Sequence, residues 1–184
     1  PIIMLLATSN ALSRNRQAYR ILWRFMMWIN ILVTVLALLM AFTPLLDIYL
    51  GDLLNIPPHI IEATRPGMKI MVLWSAFIGY RRFHQGILIR FDNTRYVGYG
   101  TVIRIVISGG VALGLGAITQ IAGAEIGALS LIFAVGTEAI YTYFVSQKDV
   151  NKLLNTPLQS GQKALTYRLA VKFHIPLAAT SVIT

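Results

Sequence analysis

Six ionisable or strongly polar side chains stand inside stretches of the sequence that are otherwise apolar. They are Arg81, Arg82, His84, Gln85, Arg104 and Glu138. Guanidinium groups bind carboxylates and phosphates through charge-assisted hydrogen bonds, and histidine and glutamine add neutral ones. A single carboxylate among arginines can act as a counter-ion or as a coupling group. These residue types predict a site for an anionic group, with the arginines, the histidine and the glutamine as its ligands.

The composition of the 184-residue chain is that of a membrane protein. Hydrophobic residues make up 56% and charged residues 12%, with a mean hydropathy of +0.66, whereas a soluble domain has about 45–50% apolar and about 25% charged residues. The net charge is +9, but the basic residues form clusters between apolar runs rather than one patch. We therefore expect the lipid bilayer, and not a nucleic acid, as partner.

Four stretches are long and apolar enough to cross a bilayer, which takes about 20 residues. They are residues 25–46, 68–90, 97–119 and 123–145. Shorter apolar pieces precede the first and follow the last. The pattern predicts an all-α polytopic transmembrane helical bundle with about four full spans and two partial ones, and we expect the chain to be a fragment of a longer polypeptide.

Basic residues are concentrated in the predicted loops 10–24, 90–96 and 146–172, which alternating topology places on one side of the membrane. These residues are Arg14, Arg16, Arg20, Arg24, Arg90, Arg95, Lys148, Lys152, Lys163, Arg168 and Lys172. Only Arg65 and Lys69 fall on the other side. The bias predicts that the three loops are cytoplasmic. We expect an integral protein of the plasma (inner) membrane.

The buried charges are predicted to share one level of the membrane. The loop between the second and third spans is so short that the two helices form a hairpin turning near Asn93. Arg81, Arg82 and Arg104 then stand at similar distances from the turn, about 12 Å deep at a rise of about 1.5 Å per residue. Glu138 reaches the same depth, because it precedes Ser146 by eight residues.

Two interpretations of this layer stay open. Residues at such depth cost at least about 2–3 kcal/mol each on insertion scales and face a bundle interior or a cavity, so the surplus positive charge favours an anionic substrate. Alternatively, one arginine pairs with Glu138 and the others extend toward the headgroups. Glu138 is a counter-ion or a proton-coupling carboxylate on the same evidence.

No other chemistry is indicated. His59, His84 and His174 lie on different predicted elements without partners at metal-ligand spacing, and no phosphate-binding loop or nucleophile motif occurs. The absence of cysteine excludes disulfides and thiolate chemistry. We expect no enzyme activity, no metal and no cofactor.

Glycines stand four residues apart in the third and fourth predicted spans. Gly110 and Gly114 form one pair, and Gly123 and Gly127 form the other. Each pair lies on one helix face, where the missing side chains permit close approach of another backbone. The spacing predicts close helix packing at both pairs.

Three segments resemble the multidrug and toxic compound extrusion (MATE) transporters and their relatives in the multidrug/oligosaccharidyl-lipid/polysaccharide (MOP) flippase superfamily, nearest to the progressive-ankylosis-like branch. They are "NALSRNRQAYR", "QGILIRFDNTRYVGYGTVIRIVISGG" and "YRLAVKFHIPLAATSVIT". The resemblance implies that residues 1–167 hold the end of helix two to helix six of an N-terminal lobe, including a cytoplasmic linker over 146–167. Residues 168–184 would begin the first helix of a second lobe, whose remainder is missing.

The resemblance implies a secondary active exporter, an antiporter that works by alternating access and is coupled to sodium or protons. Multidrug efflux proteins of this family carry acidic cavity residues, whereas the layer predicted here is net positive. We therefore expect a small anionic organic solute. The alternatives are a flippase for a pyrophosphate-linked lipid or polysaccharide precursor, a membrane-embedded lipid-phosphate transferase with Asp92 as its nearby carboxylate, and a scaffold that transports nothing.

Overall fold

The computed structural model describes residues 2–158 and 164–183, and these residues form helices and loops but no strand. The helices are α1 (Leu5–Leu12), α2 (Arg16–Phe42), α3 (Leu45–Asp47), α4 (Pro58–Ile70), α5 (Trp74–Arg90), α6 (Thr94–Ile118), α7 (Gly123–Asn155) and α8 (Tyr167–Ile183). Short 3-10 turns precede α1 and α5, and a π-helical turn follows α3. The predicted all-α class is confirmed.

Three helices of the described chain are long and apolar enough to cross a membrane. They are α2, α6 and α7, with mean hydropathies of 2.4, 1.9 and 1.5 over their most apolar windows. Helix α5 has only 17 residues and is therefore shorter than these three helices. It also carries two adjacent arginines, which make it less apolar. The predicted count of four full spans therefore stays a prediction, while an integral membrane protein is what these helices indicate.

The α5–α6 hairpin turns where the sequence predicts it. Helix α5 ends at Arg90 and α6 begins at Thr94. Asp92, exposed in this turn, has a φ of 58°, in the left-handed region that aspartate tolerates better than most residues. The Asn93 side chain donates a hydrogen bond to the buried Asp149 carboxylate, which ties the turn to α7.

Helix α5 lies at the centre of the bundle, with α1 and α2 on one side and α7 on the other. Gly86 lets α1 approach, because a Cβ there would meet the Ser9 hydroxyl and the Leu6 carbonyl. Ser9 uses this proximity to donate a hydrogen bond of 2.8 Å to the Phe83 carbonyl. Small residues thus allow the close backbone packing on which polar contacts between membrane helices depend.

Helix α6 lies at the edge of the described bundle and packs mainly on α7. Of its residues, all of which are described, only Gly100 is buried. A Cβ placed on either glycine of the two pairs, at 110 and 114 or at 123 and 127, would meet nothing within 4 Å. Within the described residues the pairs therefore do not make the close helix contacts that their spacing predicts.

The predicted linker after the fourth span is partly helical. Helix α7 continues to Asn155, because Asp149, Val150 and Leu153 form a buried face that extends its packing beyond the apolar span. Residues 146–155 of the predicted 146–167 linker are thus helical, and residues 159–163 lie outside the described residues. Helix α8 begins at Tyr167, one residue before the predicted start. The assignment of lobes stays a prediction.

Candidate functional site

Glu138 on α7 is the centre of a buried cluster of charges. Its side chain is 1% exposed and forms an ion pair with Arg81, whose side chain is 4% exposed. Gln85 donates a hydrogen bond of 3.1 Å to Glu138 Oε1, and Arg104 Nε lies 3.7 Å from Glu138 Oε2. Three side chains from α5 and α6 therefore meet one carboxylate.

The positions of these residues follow from helix geometry. Arg81 and Gln85 are four apart and share one face of α5, so both reach Glu138. Gly100 permits the approach of α6, because a Cβ there would lie 3.3 Å from Glu138 Cγ. Arg104 comes one turn after this contact and is thereby brought beside the carboxylate.

Arg82 is connected to the cluster only through Gln85. Its guanidinium donates a hydrogen bond of 3.3 Å to Gln85 Oε1, and Arg82 is partly exposed. Its neighbour Arg81 is buried. The two side chains differ because adjacent residues of a helix project about 100° apart. Of the three arginines, Arg82 therefore makes no direct ion pair within the described residues.

His84 lies in a neighbouring aromatic environment rather than on Glu138. Its ring packs against Tyr80, Phe83 and Tyr143, with centroid distances of 4.7, 5.5 and 5.7 Å. His84 Nδ1 is 2.8 Å from Ser146 Oγ, and the Ser146 hydroxyl donates to the Tyr143 carbonyl. The contact between His84 and Ser146 therefore ties α5 to α7.

A cavity of about 390 Å³ lies beside the cluster, between α5, α6 and α7. Its lining comprises Trp74, Ile78, Arg81, Arg104, Ile105, Ser108, Gly109, Leu131 and Val135. The Arg104 side chain is 37% exposed. Trp74 Nε1 and Arg81 Nε are buried donors without a hydrogen-bond partner among the described residues. The cavity therefore combines an apolar wall with one partly exposed guanidinium, that of Arg104.

The charge of this layer favours a negative occupant. Three arginines and one glutamate leave a surplus of two positive charges, and the single carboxylate is engaged chiefly by Arg81. A second guanidinium at 3.7 Å on a partly exposed side chain is held much less firmly. Arg104 is thus the basic group of the cluster that an entering anion can bind with least loss.

Among the lining residues that sequence reasoning missed, two have side chains that can donate a hydrogen bond. Trp74 stands seven residues before Arg81, and Ser108 stands four residues after Arg104. Residues four or seven apart lie on the same face of a helix. Following the face of each arginine for one or two further turns would therefore have found both residues. Residues sharing a face with a buried charge are candidates for its cavity even when they are only weakly polar.

A larger cavity, of about 600 Å³, lies between α2, α5 and α7 and is almost wholly apolar. Asn30 is its most buried polar residue, and it donates a hydrogen bond of 3.3 Å to the Ala76 carbonyl. Gly79 makes room for this side chain. The cavity offers a hydrophobic ligand little besides contact area, so it ranks behind the arginine cavity as a specific site.

Comparison with models of protein families, with curated proteins and with solved structures found no match to this chain. The resemblance to MATE transporters therefore stays a prediction. In the described part of the chain, no three or more His, Asp or Glu residues are grouped so that they could hold a metal ion. The candidate site consequently rests on the geometry of the Glu138 cluster and the cavity beside it.

Proposed function

We propose that the chain belongs to a secondary active membrane transporter that carries a small anionic organic solute and binds it in the cavity between α5, α6 and α7. One observation carries this proposal: Arg81 and Arg104 both line the cavity, and the Arg104 side chain is partly exposed and only loosely paired. An anion with several acceptor oxygens could accept charge-assisted hydrogen bonds from this guanidinium. The surplus positive charge of the layer supports the same conclusion.

The residues of the cluster have different roles in this proposal. Arg104 binds the anion directly, because its side chain is partly exposed and only loosely paired. Arg81 is held in place by Glu138 and adds its positive charge to the cavity wall. Gln85 links Arg82 to the carboxylate. His84 acts more remotely, as part of the aromatic contact between α5 and α7.

Glu138 is the counter-ion of Arg81 and, in this proposal, the group through which binding is coupled to a cation. An anion that draws Arg104 away removes one of the two guanidiniums beside the carboxylate. Binding of the anion at Arg104 and of a sodium ion or a proton at Glu138 are thus linked, because each changes the charge that the other meets. Alternating access, which the resemblance implies, would move the occupied cavity between the two sides.

The flippase alternative has one observation in its favour. Ile105 lines the cavity, and it and the adjacent Val106 are 63% and 65% exposed. The cavity therefore lies next to an apolar face of α6, on which a lipid chain attached to a pyrophosphate could rest. This alternative uses the same arginines for the pyrophosphate and differs in the tail of the substrate.

Flux in liposomes tests the proposal. The protein is reconstituted, and uptake of labelled glycerol 3-phosphate and pyrophosphate is compared with uptake of tetraethylammonium. A charge-assisted hydrogen bond contributes about 1.5–3 kcal/mol, so Arg104→Gln is expected to weaken anion binding by about 10- to 150-fold. Lys152→Gln removes an equal charge from an exposed side chain of α7 and is expected to leave flux unchanged.

Two results would contradict the proposal. Tetraethylammonium uptake that survives Arg104→Gln would make the arginines structural and the protein a cation exporter. Anion flux equally reduced in both variants would show a general effect of charge rather than a site. Movement of a fluorescent pyrophosphate-linked lipid between leaflets, without flux of the soluble anions, would favour the flippase.

A further inference from the structure

A second basic site is formed at one end of α2 by three arginines that the proposed function does not use. Arg16, Arg20 and Arg24 stand four residues apart, so they follow one face of the helix. All three are exposed. They extend over about 12 Å of helix axis, at a rise of about 1.5 Å per residue. We call this set the α2 arginine stripe.

No carboxylate neutralises the stripe. None of the four salt bridges found in residues 2–158 and 164–183 includes Arg16, Arg20 or Arg24. Like charges one turn apart repel each other and destabilise a helix when nothing lies between them. An anion bound across the stripe would remove this repulsion, because each guanidinium could donate to it.

The stripe forms one wall of a cavity of about 480 Å³. The other lining residues are Gln17, Ile21, Pro157 and Leu158. This cavity therefore has a cationic side and an apolar side, which are formed by α2 and by the segment that follows α7. A fully solvated anion would make no use of the apolar side.

Hydrogen bonds hold the second wall of this cavity against α2. The backbone N–H of Arg16 donates a hydrogen bond of 3.0 Å to the Thr156 carbonyl. The Gln17 side chain donates a hydrogen bond of 2.9 Å to the Leu165 carbonyl and accepts one of 3.2 Å from the Leu165 N–H. These three bonds fix residues on either side of 159–163 to the first turn of α2. The cavity is thus formed by ordered backbone as well as by flexible arginines.

The stripe lies where a membrane surface is predicted. It precedes the predicted span 25–46, on the side that the basic loops identify as cytoplasmic. Trp23, next to Arg24, is 39% exposed, and tryptophan favours the headgroup level of a bilayer. Basic pockets at this level bind the phosphates of anionic lipids.

We infer that the α2 arginine stripe binds a phosphate group, and that this phosphate belongs to the headgroup of an anionic phospholipid whose apolar part contacts Ile21 and Leu158. The stripe is on α2, whereas the Glu138 cluster is formed by α5, α6 and α7. Lipid binding and solute transport can therefore fail independently of each other.

Lipid retention tests this inference. The purified protein is equilibrated with detergent micelles holding equal amounts of phosphatidylglycerol and phosphatidylcholine, and the lipids that remain bound are counted by native mass spectrometry. Wild type is expected to enrich phosphatidylglycerol at least about fivefold. The triple variant Arg16→Gln, Arg20→Gln and Arg24→Gln is expected to lose this enrichment.

The control variant makes the same change of charge at dispersed sites. Arg95, Lys148 and Lys172 are exposed basic residues of the other predicted cytoplasmic loops. Their joint replacement by glutamine is expected to keep the enrichment. Equal loss in both triple variants would overturn the inference, because it would show attraction by net charge alone. Equal enrichment in wild type and in the stripe variant would overturn it as well.

A competition arm distinguishes a lipid from a free phosphate. Glycerol 3-phosphate has the phosphate of the headgroup but no acyl chains, so it cannot use the apolar side of the cavity. At millimolar concentration it is expected to leave most phosphatidylglycerol bound. Full displacement would show that the stripe takes a soluble phosphate, and it would overturn the assignment to a lipid. Circular dichroism of each variant verifies that the helices remain folded.

Discussion

The Arg81–Glu138 ion pair supports a quantitative prediction about stability. Both side chains are almost fully buried, at 4% and 1% exposed. Removing one partner of such a pair leaves an uncompensated buried charge and costs about 3–5 kcal/mol. We expect Glu138→Gln to fall at the upper end of this range, because it leaves Arg81 without a carboxylate while Arg104 keeps its partial exposure.

The structure predicts an asymmetry between the two single variants. In Arg81→Gln the carboxylate of Glu138 keeps the hydrogen bond from Gln85 and has Arg104 at 3.7 Å. This variant is therefore expected to cost less than Glu138→Gln. The double variant removes both charges, and we expect a coupling energy of about 2–3 kcal/mol between the two sites.

Unfolding of the detergent-solubilised protein by increasing fractions of sodium dodecyl sulfate, followed by circular dichroism, gives these free energies. Arg65→Gln is the control, because both side chains of its ion pair with Asp47 are partly exposed, at 31% and 48%, and the pair is expected to contribute about 0–1 kcal/mol. Additive single variants, or a Glu138→Gln cost no larger than that of Arg65→Gln, would refute the buried pair.

Two further predictions concern helix packing. Gly86→Ala is expected to lower the free energy of unfolding by about 1–3 kcal/mol, because the new Cβ meets the Leu6 carbonyl. Gly114→Ala has no atom within 4 Å and is expected to be neutral or stabilising, so equal melting temperatures of the two variants would contradict the α1–α5 contact. Asp149→Asn weakens the hydrogen bond from Asn93 and is expected to speed amide hydrogen exchange in the α5–α6 turn, whereas unchanged exchange would show that the turn is not held there.

The sequence predicts the helices and the level of the charges well. Hydropathy identifies α2, α6 and α7, because an apolar run of this length has few stable alternatives to a helix. Counting residues from Asn93 brings Arg81 and Arg104 to one depth, because a helix rises by a constant distance per residue. This regularity brings both to the level of Glu138, but their contact with its carboxylate also depends on the rotation of the helices.

The sequence could not predict which faces of the helices meet. The rotation of α5 that places His84 among Tyr80, Phe83 and Tyr143 is set by packing against α7. Gly110 and Gly114 have the spacing of a packing motif, yet the face they share is open within the described bundle. Spacing defines a face of a helix, but the partner of that face depends on tertiary contacts.

Hydropathy also could not predict where α7 ends. Residues after 145 are polar enough to predict a linker, but Val150 and Leu153 continue a buried face. Lys152 and Asp149 add an ion pair one turn apart on the helix. An amphipathic extension of a membrane helix needs few apolar residues, so it is easily taken for a loop.

Fluorescence of Trp74 tests the central claim, that the cavity binds an anion through Arg104. The chain has three tryptophans, and replacing Trp23 and Trp28 by phenylalanine leaves Trp74, which lines the cavity, as the only one. Titration with pyrophosphate or glycerol 3-phosphate is expected to give a saturable change that Arg104→Gln weakens at least about tenfold and Lys152→Gln does not. No saturable change with either anion, or one that is equal in the Arg104 variant, would contradict the claim.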